Sequence, residues 1–380
     1  MKVLISDIES RKGLDVVNII ESKNGFDSIL CSARNYRFQL PLIYLKKVYP
    51  LRTSSYEEFE SDLISIQKSF SDELIIFLPV SEKTTRLFYH FVDTHDENNI
   101  AFLLPPKELF DLTSDKGMFQ AYCENKEFPV PRSYTKKDIF SPELKFRPLV
   151  AKPFSGQGSV GLKYINNESE LQILDDIDFD NYLIQDKIIS NQQVSGAFFL
   201  CDQGKLISQY THQRLRTFPV EGGVTVYSKR TNNDVIVQIG ASLLKDLNWT
   251  GLAMIEFLYD ESSKQWKIIE LNPRIWGSIL LSAFADADLL RDYVHLCQGK
   301  EISQPENRSF REVFIRWLFP FDILNLLKRS ISLKEFMSFN VAKTCYINFT
   351  YSSFWRSLSY LFYFTFNLRS LNRYIKKLFG

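Results

Sequence analysis

Ile268-Ile269-Glu270-Leu271-Asn272-Pro273-Arg274-Ile275-Trp276-Gly277-Ser278 decides how the rest of the chain is read. Ahead of it lies a second apolar stretch with one acid in it, Ala253-Met254-Ile255-Glu256-Phe257-Leu258-Tyr259, and the polar cluster Asp260 to Gln265 joins the two. Two β-rich runs separated by such a cluster predict a β-hairpin. Side chains two apart on a strand share a face, so Glu270 and Asn272 point the same way. A turn centred on Ser263 sets Glu256 directly opposite Glu270. Like charges in that relation destabilise a strand pair. Carboxylates on an apolar hairpin therefore need a counter-charge, and a hard cation such as Mg²⁺ (or Mn²⁺) supplies one. Arg274, two residues past Asn272, could meet phosphate oxygens beside such an ion. The bland alternative is a solvated hairpin face. The neighbouring residues are too apolar to favour it.

A chain of 380 residues exceeds one ordinary hydrophobic core and predicts two or three domains. The net charge of +1 gives no global attraction to nucleic acid. Cys31, Cys123, Cys201, Cys297 and Cys345 are scattered, and no pair has CxxC spacing. That pattern indicates neither a disulfide framework nor a zinc site, and a reducing cytoplasm is the natural compartment. Met1 to Asp7 lacks the long apolar stretch of a signal peptide, and no run is long enough for a transmembrane helix.

Residues 1–105 alternate short apolar runs with amphipathic ones. Val3-Leu4-Ile5, Ser28 to Cys31, Leu74 to Leu78 and Ile100 to Leu104 predict strands; Leu14 to Ile20, Tyr56 to Phe70 and Arg86 to Val92 predict helices. This alternation argues for a parallel α/β domain. No glycine-rich phosphate fingerprint follows its first strand, so the domain is expected to be scaffold or one wall of a substrate cleft.

Pro105-Pro106 punctuates the chain, and a helix is expected around Thr113 to Phe119; Lys116 within it has the look of a surface lysine. Arg147 to Phe154 precedes Ser155-Gly156-Gln157-Gly158-Ser159-Val160-Gly161. Gly156, Gly158 and Gly161 spell GxGxxG, but the following Leu162 to Ile165 predict a strand rather than the helix a dinucleotide site requires. The glycines then cap a hairpin whose backbone N–H groups can face phosphate oxygens. Lys152 on the incoming strand can reach the same phosphates; the alternative is a flexible turn with a snorkelling lysine. A protein kinase places its lysine after the glycine loop and carries His-Arg-Asp and Asp-Phe-Gly motifs, none of which fits here.

Tyr182 to Ile189 predicts another strand, and Gln193 precedes the β-rich Ala197 to Leu200. Tyr210 to Arg216 is a basic cluster in which His212, Arg214 and Arg216 could bind an anion, although a lone histidine is more often structural. Ile236 to Leu247 and Ala283 to Cys297 predict helices. From Phe336 to Gly380 there is no acid, while Lys343, Arg356, Arg369, Arg373, Lys376 and Lys377 interleave with dense aromatics. Such a tail suits an interfacial helix on an anionic membrane or a helical tail packed on the protein's own core, and both stay open.

These residues resemble the ATP-grasp superfamily, and within it the carbamoyl-phosphate-synthase-like carboxylate–amine ligases. The resemblance runs from about Thr113 to Lys300. It rests on Lys116, on Lys152 with the glycine loop, on Ile184-Gln185-Asp186, and above all on Glu256 paired with Glu270-Leu271-Asn272-Pro273-Arg274. It implies an N-terminal α/β domain with a parallel sheet (1–105) and an α+β ATP-grasp region of two subdomains (106–310, with a small lid over about 130–190); the composition adds a helical, basic-aromatic C-terminal region (311–380). It further implies that Lys116 and Lys152 contact the phosphates of ATP, with Gly156, Gly158 and Gly161 over them. Gln185, Asp186 and Ile188 would hold adenine, and Gln193 stands where an acid often binds ribose. Asp186 stands where the family generally has Glu. Glu256, Glu270 and Asn272 would bind Mg²⁺ (or Mn²⁺), and Arg274 would steady the transferred phosphoryl group.

The implied reaction joins a carboxylate to an amine, both small-molecule partners, with release of ADP. His212, Arg214, Arg216 and Arg230 are the candidates for gripping the acid or its acyl phosphate. A membrane-associated ligase acting on a sugar acid of a surface glycan, at the inner face of the membrane, is one alternative. A non-catalytic ATP-binding protein is another. Oligomeric state is not legible.

Overall fold

The structure is a computed structural model of the 380-residue chain. It describes residues 1–33, 46–95, 99–141, 144–156, 161–218, 223–285, 287–302, 312–338 and 344–346. Gly158 and most of the C-terminal tail lie outside the described residues. The chain forms two compact units, one of Met1–Phe102 with Arg274–Ile302 and Ser309–Gly380, the other of Leu103–Pro273 with Ser303–Arg308.

The first unit is built on strands β1 (Lys2–Ile5), β2 (Ser28–Ser32), β3 (Val48–Pro50), β4 (Ile75–Leu78) and β5 (Ile100–Ala101). They form an all-parallel sheet in the order β3-β2-β1-β4-β5. Val3 to Ile5 and Ile75 to Leu78 are buried throughout, as continuous apolar runs in a sheet covered on both faces must be. Helices α1 (Arg11–Val17), α2 (Tyr56–Ser69) and α3 (Glu82–Thr94) connect the strands, each started by a serine (Ser10, Ser55, Ser81) whose side chain accepts from the backbone N–H three residues on. The edge strand β3 escapes sequence reading because Val48-Tyr49-Pro50 has no periodicity. The strand at Ile100 is shorter than predicted, stopping at Ala101.

The second unit opens with two helices where one was expected, α4 (Lys107–Ser114) and α5 (Lys116–Asn125). Asp115 separates them: its carboxylate accepts from Met118 N at 2.8 Å and starts α5 afresh. A four-stranded sheet follows, in the order β6 (Ser133–Tyr134), β9 (Tyr182–Asp186), β7 (Leu149–Pro153), β8 (Lys163–Ile165). A short helix, α6 (Lys136–Ile139), comes after β6. Strands β7 and β8 are antiparallel and flank the glycine loop. The predicted strand through Ile189 ends at Asp186.

The larger sheet of this unit runs β14 (Gln265–Asn272), β13 (Gly251–Asp260), β10 (Ser195–Asp202), β11 (Lys205–Phe218), β12 (Val224–Thr231), all neighbours antiparallel. The basic cluster at Tyr210 lies inside the 14-residue β11. One face of the sheet packs on helix α7 (Asp234–Asp246) and α5 through Phe199, Ile255, Phe257, Ile268, Leu271, Leu243 and Phe119. In the first unit the helix predicted over Ala283 to Cys297 is two, α8 (Ile279–Phe284) and α9 (Leu289–Cys297), because Asp288 caps a new start. Strand β15 (Phe314–Arg316), helices α10 (Ile323–Leu327) and α11 (Leu333–Met337) and strand β16 (Thr344–Tyr346) close the described chain.

Strand β13 begins at Gly251, whose φ is +98°. A Cβ there would lie 2.3 Å from the Leu103 carbonyl oxygen, so both backbone and space demand glycine. Gly251→Ala should cost roughly 2 kcal/mol or more in unfolding free energy. Urea denaturation checks it, and an unchanged midpoint would contradict the close approach.

Candidate functional site

The β13–β14 hairpin pairs Glu256 with Glu270 and Met254 with Asn272. The ladder closes at Asp260 and Gln265, so the turn centres between Ser262 and Ser263 rather than on Ser263. Asp260 holds it by accepting from Ser262 N (3.1 Å), Ser262 Oγ (2.6 Å) and Ser263 Oγ (2.7 Å). Carried on unchanged, that register would set Glu256 opposite Ile269. A β-bulge between Glu256 and Phe257 shifts it by one, and Ile269 is the residue without a partner in the register. The same bulge explains why Ile268 and Leu271, three apart, both enter the apolar core. Glu270 and Asn272 are thereby turned to the opposite face, beside Glu256.

That face carries a row across five strands: Glu270 on β14, Glu256 on β13, Gly196 on β10, His212 on β11 and Arg230 on β12. A Cβ at Gly196 would meet Phe198 Cζ at 2.8 Å and His212 Nε2 at 3.0 Å, so a side chain in the middle of the row would push on both rings. Phe198 stacks on Tyr210 with centroids 4.4 Å apart and meets His212 edge-on at 4.6 Å. Glu256 and Asn272 are buried, Glu270 partly so. Asn272 Nδ2 donates to Glu270 Oε1 at 2.9 Å, and the Arg214 guanidinium pairs with Glu256 Oε1. Among the described residues no group of three or more His, Cys, Asp or Glu gathers as a metal cluster. The set here is two carboxylates and an amide, all oxygen donors, on a face where buried negative charge already draws a cation. That chemistry fits a hard divalent ion.

Lys152, on β7, is buried and donates from Nζ to the carbonyl oxygen of the bulge residue Ile269 at 3.1 Å. Burial pulls its pKa down to about 8; Glu270 draws it up, Lys116 pushes it further down, and Glu256 draws it up. Lys116, at the first turn of α5, donates from Nζ to Gly156 O at 3.0 Å, and its backbone N–H donates to Phe154 O at 3.0 Å. The Phe154 ring lies so close to Gly117 that a Cβ there would come within 2.7 Å of it. Gly156 (φ +125°) and Gly161 (φ +80°) adopt backbone that favours glycine, and a Cβ on Gly161 would sit 2.8 Å from Pro153 Cγ.

Gln185 is buried and donates to Gln120 Oε1 at 2.6 Å, while Gln120 donates to Pro131 O at 2.6 Å. Asp186 accepts from Tyr134 Oη (2.9 Å) and Arg147 Nη1 (3.3 Å). Ile188 is half-buried and Gln193 exposed. Arg216 lies over the Tyr227 ring, 4.8 Å from its centroid, and Arg230 is buried. Arg274 belongs to the first unit, where Nε donates to Glu82 Oε1 at 2.9 Å. Sequence reasoning missed Gln120, Glu82 and the Ile269 carbonyl, since each acts through residues far away in the chain. Gly196, a glycine inside an apolar strand, was the one legible signal.

The small antiparallel sheet thus carries Lys152 and a glycine hairpin, α5 carries Lys116, and the larger sheet carries an acid pair and an asparagine. Residues 113–278 match the ATP-grasp_3 family, described as an ATP-grasp domain. The fold over these residues is that of an ATP-grasp domain. Acetyl-CoA carboxylase 2 of Arabidopsis thaliana is 26% identical over 152 residues, 37% of this chain, and the chain spans 6% of that protein's length. The biotin carboxylase of Campylobacter jejuni, solved as a β,γ-ATP complex, superposes with a TM-score of 0.65 at 14% identity, covering 82% of this chain and 74% of that one. N5-carboxyaminoimidazole ribonucleotide synthetase of Thermus thermophilus gives 0.58 at 11% identity, covering 83% and 82%. At these identities the likeness is one of fold.

His212 has its pKa lowered to about 3, first by burial and then by the Arg214 charge. An unfolded histidine titrates near 6.5, so between the two values the unfolded chain binds a proton that the folded chain does not. Stability should therefore fall as pH drops below 6.5, and His212→Gln should flatten that acid limb. Ring ¹⁵N shifts should show His212 neutral at about pH 5; titration near its ordinary value would contradict its burial.

Proposed function

We propose that this ATP-grasp domain activates a substrate carboxylate with ATP and joins it to an amine, releasing ADP and phosphate. The observation that carries the reading is the pair of buried Glu256 and partly buried Glu270, with buried Asn272 beside it, in apolar runs of β13 and β14. Its oxygen donors suit Mg²⁺ or Mn²⁺, and Glu256, Glu270 and Asn272 would hold the ion. When bound, the ion would draw negative charge off the phosphate oxygens.

Lys152 and Lys116 would exchange their carbonyl acceptors, Ile269 O and Gly156 O, for phosphate oxygens, a stronger charge-assisted bond. Gly156, Gly158 and Gly161 would cover the phosphates with backbone N–H groups. The adenine would lie against the Gln185–Ile188 segment, where Gln185 is fixed by Gln120 and Asp186 by Tyr134 and Arg147. Gln193 would face the ribose. His212 would stay neutral and orient the acid, while Arg214, Arg216 and Arg230 supply positive charge to it. Arg274, held by Glu82, would steady the transferred phosphoryl group.

A carboxylate oxygen would attack the γ-phosphorus as its bond to the bridging oxygen breaks, and ADP leaves with those electrons. The amine nitrogen would then attack the acyl carbon, phosphate would depart, and the nitrogen would lose a proton. No covalent protein nucleophile is required; positioning and electrostatics carry the rate.

Glu270→Ala should reduce acid- and amine-dependent ADP release by about 10²–10³-fold while leaving the fold intact. Coupled ADP assay with circular dichroism measures both. Full activity in that variant would overturn the site. Binding of Mg-ATP without ADP release from any acid and amine would favour a binding protein over a ligase.

A further inference from the structure

We propose that helices α10 and α11 form a docking corner for an anionic lipid surface. This rests on no part of the ligase reading. The three most exposed large hydrophobic side chains among the described residues are Leu327 (71%), Leu333 (64%) and Met337 (59%), and all fall on these two short helices. Leu333 and Met337 are four apart and share one helical face. Lys328, Arg329 and Lys334 are exposed among them.

The corner is built to be held in place. Ser332 and Glu335 form a capping box: Ser332 N and Oγ donate to Glu335 Oε2 at 2.7 and 2.8 Å, and Ser332 Oγ accepts from Glu335 N at 3.1 Å. The one acid of the segment from Leu327 to Met337 is thus spent on the cap. Phe336 lies over the Arg316 guanidinium at 4.3 Å, and Arg316 is itself buried in an ion pair with Asp322 at 2.5 Å. Phe336 ties α11 to that pair while Leu333 and Met337 remain exposed.

Charge selects the partner. The chain passes from α11 into residues 336–380, which contain six Lys and Arg and no Asp or Glu. Exposed apolar side chains with exposed cations next to them in sequence, followed by an aromatic and basic stretch, match the interface of an anionic bilayer: the apolar groups enter the headgroup boundary and the cations meet lipid phosphates. No described helix is long and apolar enough to cross a membrane.

Co-sedimentation of the full chain with vesicles tests this. Vesicles of phosphatidylcholine with about a third phosphatidylglycerol should bind at least about tenfold more tightly than pure phosphatidylcholine. Raising salt from about 0.1 M to about 0.5 M should weaken binding. Leu333→Asp with Met337→Asp should lower binding about tenfold with melting temperature and sedimentation coefficient unchanged. Should aspartates prevent folding, Leu333→Gln with Met337→Gln carries the same test. Equal binding to both vesicle types, or by wild type and variant, would overturn the proposal. Absence of vesicle binding would do the same, with a lowered melting temperature in the variant then assigning the corner to the protein's own tail and a lost dimer assigning it to a second copy.

Discussion

Two carboxylates stand side by side on the facing strands β13 and β14, within the apolar runs Ala253 to Leu258 and Ile268 to Leu271, and much of the second unit answers to that fact. Glu256 and Glu270 face each other across an antiparallel pair, where like charges repel and burial weakens the screening by water. Cations are drawn in from separate parts of the chain. Arg214 arrives from β11 to pair with Glu256, and Lys152 arrives from the small sheet to feel both acids. Asn272 gives Glu270 a hydrogen bond from its own strand. The two sheets are therefore linked by charge as well as by chain.

The cations assigned to ligands are held by protein oxygens of graded strength. Lys116 and Lys152 donate to backbone carbonyls, Gly156 O and Ile269 O. Arg214 and Arg274 pair with carboxylates, Glu256 and Glu82. A phosphate outcompetes a neutral carbonyl readily, since its bond is charge-assisted. It displaces a carboxylate only when something else neutralises that carboxylate. A divalent ion on Glu256 would do so for Arg214, whereas Glu82 would keep Arg274. In the proposed site the lysines would therefore take phosphates directly, Arg214 would take an anion after a metal, and Arg274 would act without leaving Glu82.

The acid pair was legible because its oddity is local: two charged residues in apolar runs, joined by a turn of readable length. The parallel sheet of the first unit was legible because β1 and β4 are unbroken apolar runs. The bulge at Ile269 was not, because nothing in Ile268-Ile269-Glu270 announces an extra residue. It follows from two demands that meet only in the folded sheet, core burial of both Ile268 and Leu271 and a shared face for Glu270 with Glu256. A turn centred on Ser263 satisfied the second demand alone and left Ile268 on the wrong face. Breaks at Asp115 and Asp288 were missed because amphipathic spacing continues across a capping residue that restarts the helix. Gln120 and Glu82 had no local signature, since each matters through a partner 65 or 192 residues away.

The first unit lacks a glycine-rich phosphate loop, yet the carboxyl ends of its strands are not left idle. The segment that leaves β14 is held by residues just after β4 and on α1 and α3. Glu82 takes Arg274; Pro79 O accepts from Ile275 N at 3.0 Å; Lys12 donates to Ile275 O at 3.1 Å and Val80 O at 2.7 Å; Arg11 donates to Gly277 O at 2.9 Å. Lys12 is buried deeply enough that its pKa falls to about 7, with Arg274 adding to the effect and Asp7 and Glu82 opposing it. A lysine placed there at such a cost, with its donors turned to two carbonyls, serves to fix the backbone. Asp7, in left-handed backbone at φ +53°, draws Ser81 Oγ and Thr84 Oγ1 to one carboxylate oxygen at 3.1 and 2.8 Å, which ties the loop after β1 to the start of α3. The carboxyl ends of a parallel sheet, where such folds usually hold a ligand, are here given over to holding Arg274 and the residues that follow it.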